Sequence, residues 1–211
     1  MIERLRPFAF DILYYEAAKE SADYIREYKH EAIITNEGWW LIAAQKIELK
    51  GFCLEFGVYK GESINYLSNV RRDITFYGFD SFTGFQEDWK GGYFSKGMYS
   101  LYGIEPKVNT NVKLVKGLFK ETLPEFLKNN SEDVVSFVHF DCDTYESTKE
   151  VLDILGPKRL VSKTRILFDE YTSYIGWKNG EFKAWKEFVE KHKIKYEYEM
   201  FGERQALIKI C

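Results

Sequence analysis

The stretch FCLEFGVYKGES, residues 52–63, passes from an apolar run to two glycines and then to a polar segment. Residues 52–58 read as a short buried strand, Gly57 and Gly61 as the turn that ends it, and residues 62–70 (ESINYLSNV) as a helix. A strand that turns directly into a helix is the repeating unit of an α/β sheet, and the same alternation continues along the chain. Strands are predicted over 74–80, 112–115, 134–141 and 165–171, with helices over 122–130, 145–155 and 180–192. Upstream, residues 10–32 hold neither Gly nor Pro and predict one helix, and residues 38–49 predict a second. The chain closes with strands over 194–201 and 204–210, joined by Gly202-Glu203. So short a turn joins only antiparallel neighbours, so one strand of the sheet runs against the rest. The expected architecture is a doubly wound, Rossmann-like α/β sandwich with helices on both faces and extra helices at the N-terminus.

The bulk properties narrow the class of ligand. A chain of 211 residues suits a single domain, 1–211, in which residues 1–50 form a helical lid or cap segment and residues 51–211 the core. The net charge of −3 has no block of like charges behind it, which argues against a nucleic-acid or anionic-membrane partner and for a small molecule. The longest clean apolar stretch, WWLIAA, is far shorter than the ~20 residues that span a bilayer, and the first residues lack the core of a signal peptide. A soluble, cytoplasmic protein is expected, and a homo-oligomer is compatible with it. Cys53, Cys142 and Cys211 form no CxxC pair and read as reduced thiols.

In open α/β sheets ligands sit beyond the carboxyl ends of the strands. There the sequence places Gly57 and Gly61, then Asp80 and Ser81, then Asp141 and Asp143, then Asp169 and Glu170. Glu55, Gly57, Gly61 and Ser63 give the pattern ExGxxxGxS, a turn that lets a ligand approach the start of a helix. A dinucleotide fingerprint would have its second glycine where Tyr59 stands, which disfavours NAD. Asp80 follows Gly57 by 23 positions, near the interval at which an acidic residue reaches a ribose diol. On an extended strand His139, Asp141 and Asp143 would point to one side, and Asp169 and Glu170 would stand at the end of the neighbouring strand. Gathered carboxylates repel and raise one another's pKa unless a cation holds them, so a divalent metal is expected. All-oxygen donors favour Mg²⁺ over zinc. Alternatively, Asp143 caps the helix that follows and Glu170 faces solvent.

LEFGVYKGESINYL, YGFDSFTGFQEDW, FDCDTYEST and LFDEY…GW follow one another in an order and spacing that resembles class I S-adenosylmethionine-dependent methyltransferases, and in particular the macrocin O-methyltransferase family. The resemblance covers residues 50–210 and implies seven strands with the last antiparallel, a donor over the first two strand ends, and Mg²⁺ on the hydroxyls of a sugar-like acceptor. It implies that Gly57, Gly61 and Ser63 hold the methionine part of S-adenosylmethionine and Asp80 its ribose, with Gly117 and Leu118 beside the adenine. Glu55, Ser81 and Asp141 complete the donor-binding set. Asp141, Asp169 and Glu170 would be the metal ligands, Asp141 and Asp143 the catalytic pair with Asp143 as general base, and His139 a rival base. Glu170 departs from the resemblance, which has an aspartate there. A catechol-type O-methyltransferase and a non-catalytic module that binds adenosyl ligands remain alternatives. The 28 residues from Ser81 to Val108 are long for a connection and suggest a lid, with Trp89, Tyr93, Phe94 and Tyr99 either stacking on the acceptor or packing the loop. Trp39 and Trp40 are expected to pack the N-terminal helix, and Trp177 and Trp185 the core.

Overall fold

The computed structural model describes residues 8–89, 95–130 and 134–211. Tyr93 and Phe94, two of the candidate acceptor-stacking residues, lie outside the described residues.

Among the described residues eight strands form one sheet: β1 (Ile33–Ile34), β2 (Phe52–Phe56), β3 (Phe76–Asp80), β4 (Val112–Lys116), β5 (Val135–Phe140), β6 (Arg165–Phe168), β7 (Tyr196–Phe201) and β8 (Ala206–Ile210). Their order is β1-β7-β8-β6-β5-β2-β3-β4. Only β8 is antiparallel to its neighbours, β6 and β7, as expected from the closing hairpin. Six α-helices accompany them: α1 (Ala9–Arg26), α2 (Trp39–Gln45), α3 (Glu62–Val70), α4 (Phe119–Asn129), α5 (Tyr145–Leu155) and α6 (Glu181–His192). Among the described residues no helix is long and apolar enough to cross a membrane.

The central strands are buried along their whole length, so alternate residues serve two cores. Leu54, Phe56, Val138, Phe140, Ile166 and Phe168 face α4, α5 and α6, where Leu123, Val151, Leu152 and Trp185 meet them. Cys53, Phe76, Phe137 and Leu167 face α2 and α3, against Ala43, Ala44, Ile64 and Leu67. The expected sandwich is therefore present, with Trp185 and Trp177 wholly enclosed.

Four differences from the sequence reading bear on the site. The sheet gains β1, which pairs with Met200 and Phe201 of β7. The helix expected over 10–32 stops at Arg26. β6 ends at Phe168, so Asp169 and Glu170 lie beyond the strand. The hairpin turn spans residues 202–205 and is closed by Gly202 N donating to Gln205 O at 2.8 Å, so Arg204 and Gln205 belong to the turn and not to β8.

Candidate active site

β2, β3, β5 and β6 each carry a phenylalanine immediately before a candidate site residue: Phe56 before Gly57, Phe79 before Asp80, Phe140 before Asp141 and Phe168 before Asp169. These phenylalanines are register partners across the sheet. Their rings stack in one row, with centroids 5.0, 5.8 and 5.0 Å apart from Phe79 through Phe56 and Phe140 to Phe168. The row fixes the points at which four functional residues leave the sheet.

Above it lies a cavity of about 550 Å³, within the size range of small-molecule sites. Gly57, Asp80, Ser81, Gly117, Leu118, Asp141, Asp143, Asp169 and Glu170 all line it. Gly57 has φ +89°, and a Cβ there would lie 1.8 Å from the carbonyl oxygen of Asp141. Only glycine lets the ends of β2 and β5 approach so closely. The Asp80 carboxylate accepts from Val58 N and Tyr59 N on Oδ2, both at 2.8 Å, and from Phe82 N on Oδ1 at 2.7 Å. It thereby ties the turn after β2 to the end of β3.

Glu55, Gly61 and Ser63 do not reach the cavity wall. Ser63 Oγ donates to Glu55 Oε1 at 3.0 Å, and His139 Nδ1 lies 2.8 Å from Glu55 Oε2. His139 and Glu55 are wholly buried. His139 Nε2 stands 3.7 Å from Asp169 Oδ1, too far for a hydrogen bond, and has no hydrogen-bond partner. Burial opposes the imidazolium, but the carboxylates of Asp169 and Glu55 outweigh it and raise the His139 pKa well above its usual value. His139 thus underlies the site, between Glu55 and Asp169.

The chain leaves the extended conformation after Phe140, and Asp143 adopts φ +62°, so His139, Asp141 and Asp143 do not share the strand face expected for them. Asp141 and Asp143 nonetheless both line the cavity, whereas His139 does not. The cap of α5 is Thr144, whose hydroxyl accepts from Ser147 N at 3.1 Å, so Asp143 is not needed for that task. Burial, and then the charge of Asp169, raises the Asp141 pKa well above its usual value. The same two causes in the same order raise Asp143 to about 7.

Glu170 is not left facing solvent. Arg204 Nη1 donates to both its carboxylate oxygens at 3.2 Å, and Arg204 Nη2 donates to the hydroxyl of Tyr14 in α1 at 2.6 Å. Burial lifts the Glu170 pKa to about 8 against the pull of Arg204. Its backbone N–H donates to Glu181 Oε2 at 3.0 Å, and the other Glu181 oxygen is buried without a partner. Gln205 Nε2 donates to Asp169 Oδ1 at 3.3 Å. Among the described residues no three His, Cys, Asp or Glu side chains are grouped so as to hold a metal ion, and the expected third ligand, Glu170, is paired with Arg204. Arg204 and Gln205 brace Glu170 and Asp169 from outside the cavity wall, with Tyr14 behind Arg204, and sequence reasoning missed all three. A signal existed for two of them: β7 is parallel to the sheet, so the turn leading to β8 must fall on the rim that carries the carboxylates.

A sheet of this strand order, with one antiparallel strand and a donor-sized cavity over its carboxyl ends, defines the class I S-adenosylmethionine-dependent methyltransferase architecture. Residues 54–171 match the family model described as "Methyltransferase domain", more than half of the chain, and the protein belongs to that family. It is similar to a solved structure of CalS11, a calicheamicin methyltransferase, with a TM-score of 0.67 at 19% identity over 97% of this chain and 94% of that one. A structure of apo CalS11, described as a TDP-rhamnose 3'-O-methyltransferase of calicheamicin biosynthesis, aligns with a TM-score of 0.59 at 20% identity over 97% and 96%. No curated protein sequence matches the chain.

Proposed function

We propose that this methyltransferase transfers the methyl group of S-adenosylmethionine to a hydroxyl of a sugar or sugar-bearing small molecule, with Asp143 as general base. The observation that carries the reading is the carboxyl of Asp143, on the wall of the donor-sized cavity beside Asp141 and Asp169, with a pKa brought to about 7. A base works best when its pKa lies near the working pH. As the acceptor oxygen forms its bond to the methyl carbon and the carbon–sulfur bond breaks, Asp143 takes the hydroxyl proton. Gly57, Asp80 and Gly117 line the cavity where the donor would lie, and His139, bonded to Glu55 beneath it, holds its ring facing Asp169. Both arrangements serve positioning, which supplies much of the rate when the methyl donor is already activated.

The donor set also fits a hard dication in its chemistry, since Asp141 and Asp169 are partly buried carboxylates and the charge of Asp169 raises the cost of ionising Asp141. Magnesium is commonly held by one or two carboxylates with water and substrate oxygens completing the shell, so Asp141 and Asp169 would suffice without Glu170. A bound dication would lower the pKa of a coordinated hydroxyl. The two CalS11 structures agree with a sugar acceptor through that protein's described activity.

The test is a labelled methyl-transfer assay against a panel of glycosides, with Mg²⁺ and with a chelator. Asp143→Asn is expected to bind S-adenosylhomocysteine as the wild type does in calorimetry while turnover falls by about 10²- to 10⁴-fold. A variant with wild-type turnover removes Asp143 from the mechanism, and chelator-insensitive transfer removes the cation.

A further inference from the structure

We propose that Tyr59, Phe85 and Tyr99 form the platform on which the acceptor lies, and that Tyr99 determines which acceptors are taken. The inference rests on the acceptor-methylation reading above and adds the surface that would recognise the acceptor. All three rings line the cavity. The Tyr99 ring is met edge to face by Tyr59, with centroids 5.2 Å apart, and by Phe85 at 5.4 Å. Tyr59 is further backed by Lys60 Nζ, 5.1 Å from its ring centre.

The backbone points the same way. Tyr59 has φ +46° and Tyr99 φ +60°, left-handed conformations that a glycine would adopt without strain. Bulky side chains held there cluster at ligand sites, where the ring's position is worth the strain. Tyr59 stands where a dinucleotide-binding turn would have glycine, so at this point the chain has a ring in place of a close backbone approach. The loop around Tyr99 is pinned on both sides. Phe85 N donates to Met98 O at 3.0 Å, Gly97 N to Phe85 O at 2.9 Å, and Leu101 N to Phe82 O at 3.0 Å. A Cβ at Gly84 would lie 2.4 Å from Met98 O, which shows how tightly the two arms approach. Trp89, expected as an alternative stacking residue, is instead buried against Tyr174 and does not line the cavity.

Tyr99 also faces the chemistry. It shares the cavity wall with Asp143 and Glu170, and burial, then the charges of those two residues, hold its hydroxyl above the usual pKa. The cavity wall therefore combines aromatic rings with hydrogen-bond-accepting carboxylates. A pyranose is built to match, with a face of C–H groups and an edge of hydroxyls.

The experiment uses the whole chain saturated with S-adenosylhomocysteine, titrated with neutral methyl glycosides and separately with catechol, and compares wild type, Tyr99→Ala, Tyr99→Phe and Tyr59→Ala. Tyr99→Ala is expected to weaken glycoside binding about tenfold, the loss of one stacking contact, with unchanged affinity for S-adenosylhomocysteine. Tyr99→Phe is expected to recover most of that binding, which a purely packing role confined to the loop would not require. Where turnover is measurable, the same loss is expected in KM and not in kcat. Undiminished glycoside binding by Tyr99→Ala overturns the platform, and so does a parallel loss of S-adenosylhomocysteine affinity, which would assign the rings to the donor. A wild type that binds catechol and no glycoside overturns the sugar reading of the preceding subsection, while the Tyr99 series on catechol still decides the platform. Binding of neither overturns the platform as an acceptor surface.

Discussion

Asp80 performs at least one task that its spacing from Gly57 does not reveal. Its two oxygens accept three backbone N–H groups, those of Val58, Tyr59 and Phe82, so the carboxylate is the part around which the first turn folds. Replacing it with alanine leaves those amides short of an acceptor, and an unmet buried donor costs about 1 to 3 kcal/mol. Asp80→Ala is therefore expected to lower the unfolding free energy measured in urea by that amount and to lose S-adenosylhomocysteine affinity as well, whereas Asp80→Asn, which keeps one acceptor oxygen, is expected to retain more of the stability. A stable alanine variant that loses only affinity would assign Asp80 to the ligand alone. The sequence brought Gly57, Asp80, Asp141, Asp143, Asp169 and Glu170 to one rim because each follows an apolar run, which is a local signal. It did not show that Glu55 and Ser63 turn inward to His139, because that depends on the pairing of β2 with β5, and such pairing leaves no mark within either segment. Nor did it show that Arg204 holds Glu170, because an arginine at the edge of a hairpin reads as solvated until the turn is placed on the rim.

At the scale of elements, the alternation of strand and helix was legible because both periodicities are carried by contiguous residues, and β2, β5, α3 and α5 fall where the pattern put them to within two residues. β1 was not, since Ile33 and Ile34 are too few for any period and become a strand only by pairing with β7. α4 begins at Phe119, earlier than the expected 122, and carries Pro124 inside it. The phenylalanine row joins β3, β2, β5 and β6 at the level from which the site residues depart. Phe140 sits within it, stacked on Phe56 and Phe168 and without solvent contact. Phe140→Ala is expected to cost about 3 to 5 kcal/mol in urea denaturation, the usual cost of an emptied ring site in a core. Because Asp141 is the next residue, donor affinity is expected to fall with it. Loss of stability with undiminished affinity would mean that the backbone bonds Asp141 N to Phe56 O and Gly57 N to Phe79 O hold the rim without the rings.

Over the whole molecule the charge is unevenly spent. The chain carries a net −3, yet among the described residues the cavity is lined by eight carboxylates and one lysine, Lys120. Arg204 offsets one of them at Glu170, and burial raises the pKa of Asp141, Asp143 and Glu170 and so opposes their ionisation, which makes the residual field smaller than the count suggests but of the same sign. S-adenosylmethionine carries a net positive charge through its sulfonium, and S-adenosylhomocysteine, lacking it, is neutral overall. Attraction between the rim and the sulfonium should therefore separate the two ligands, and salt is the means of measuring it, since exposed charges are screened over about 10 Å at 0.1 M ionic strength. In calorimetric titrations without divalent cation, raising monovalent salt from about 0.05 to about 0.5 M is expected to weaken S-adenosylmethionine several-fold and S-adenosylhomocysteine much less. Equal responses would mean that protonation and Arg204 already neutralise the rim, leaving donor recognition to the turn at Gly57 and Asp80 and removing the electrostatic reason for a dication at Asp141 and Asp169.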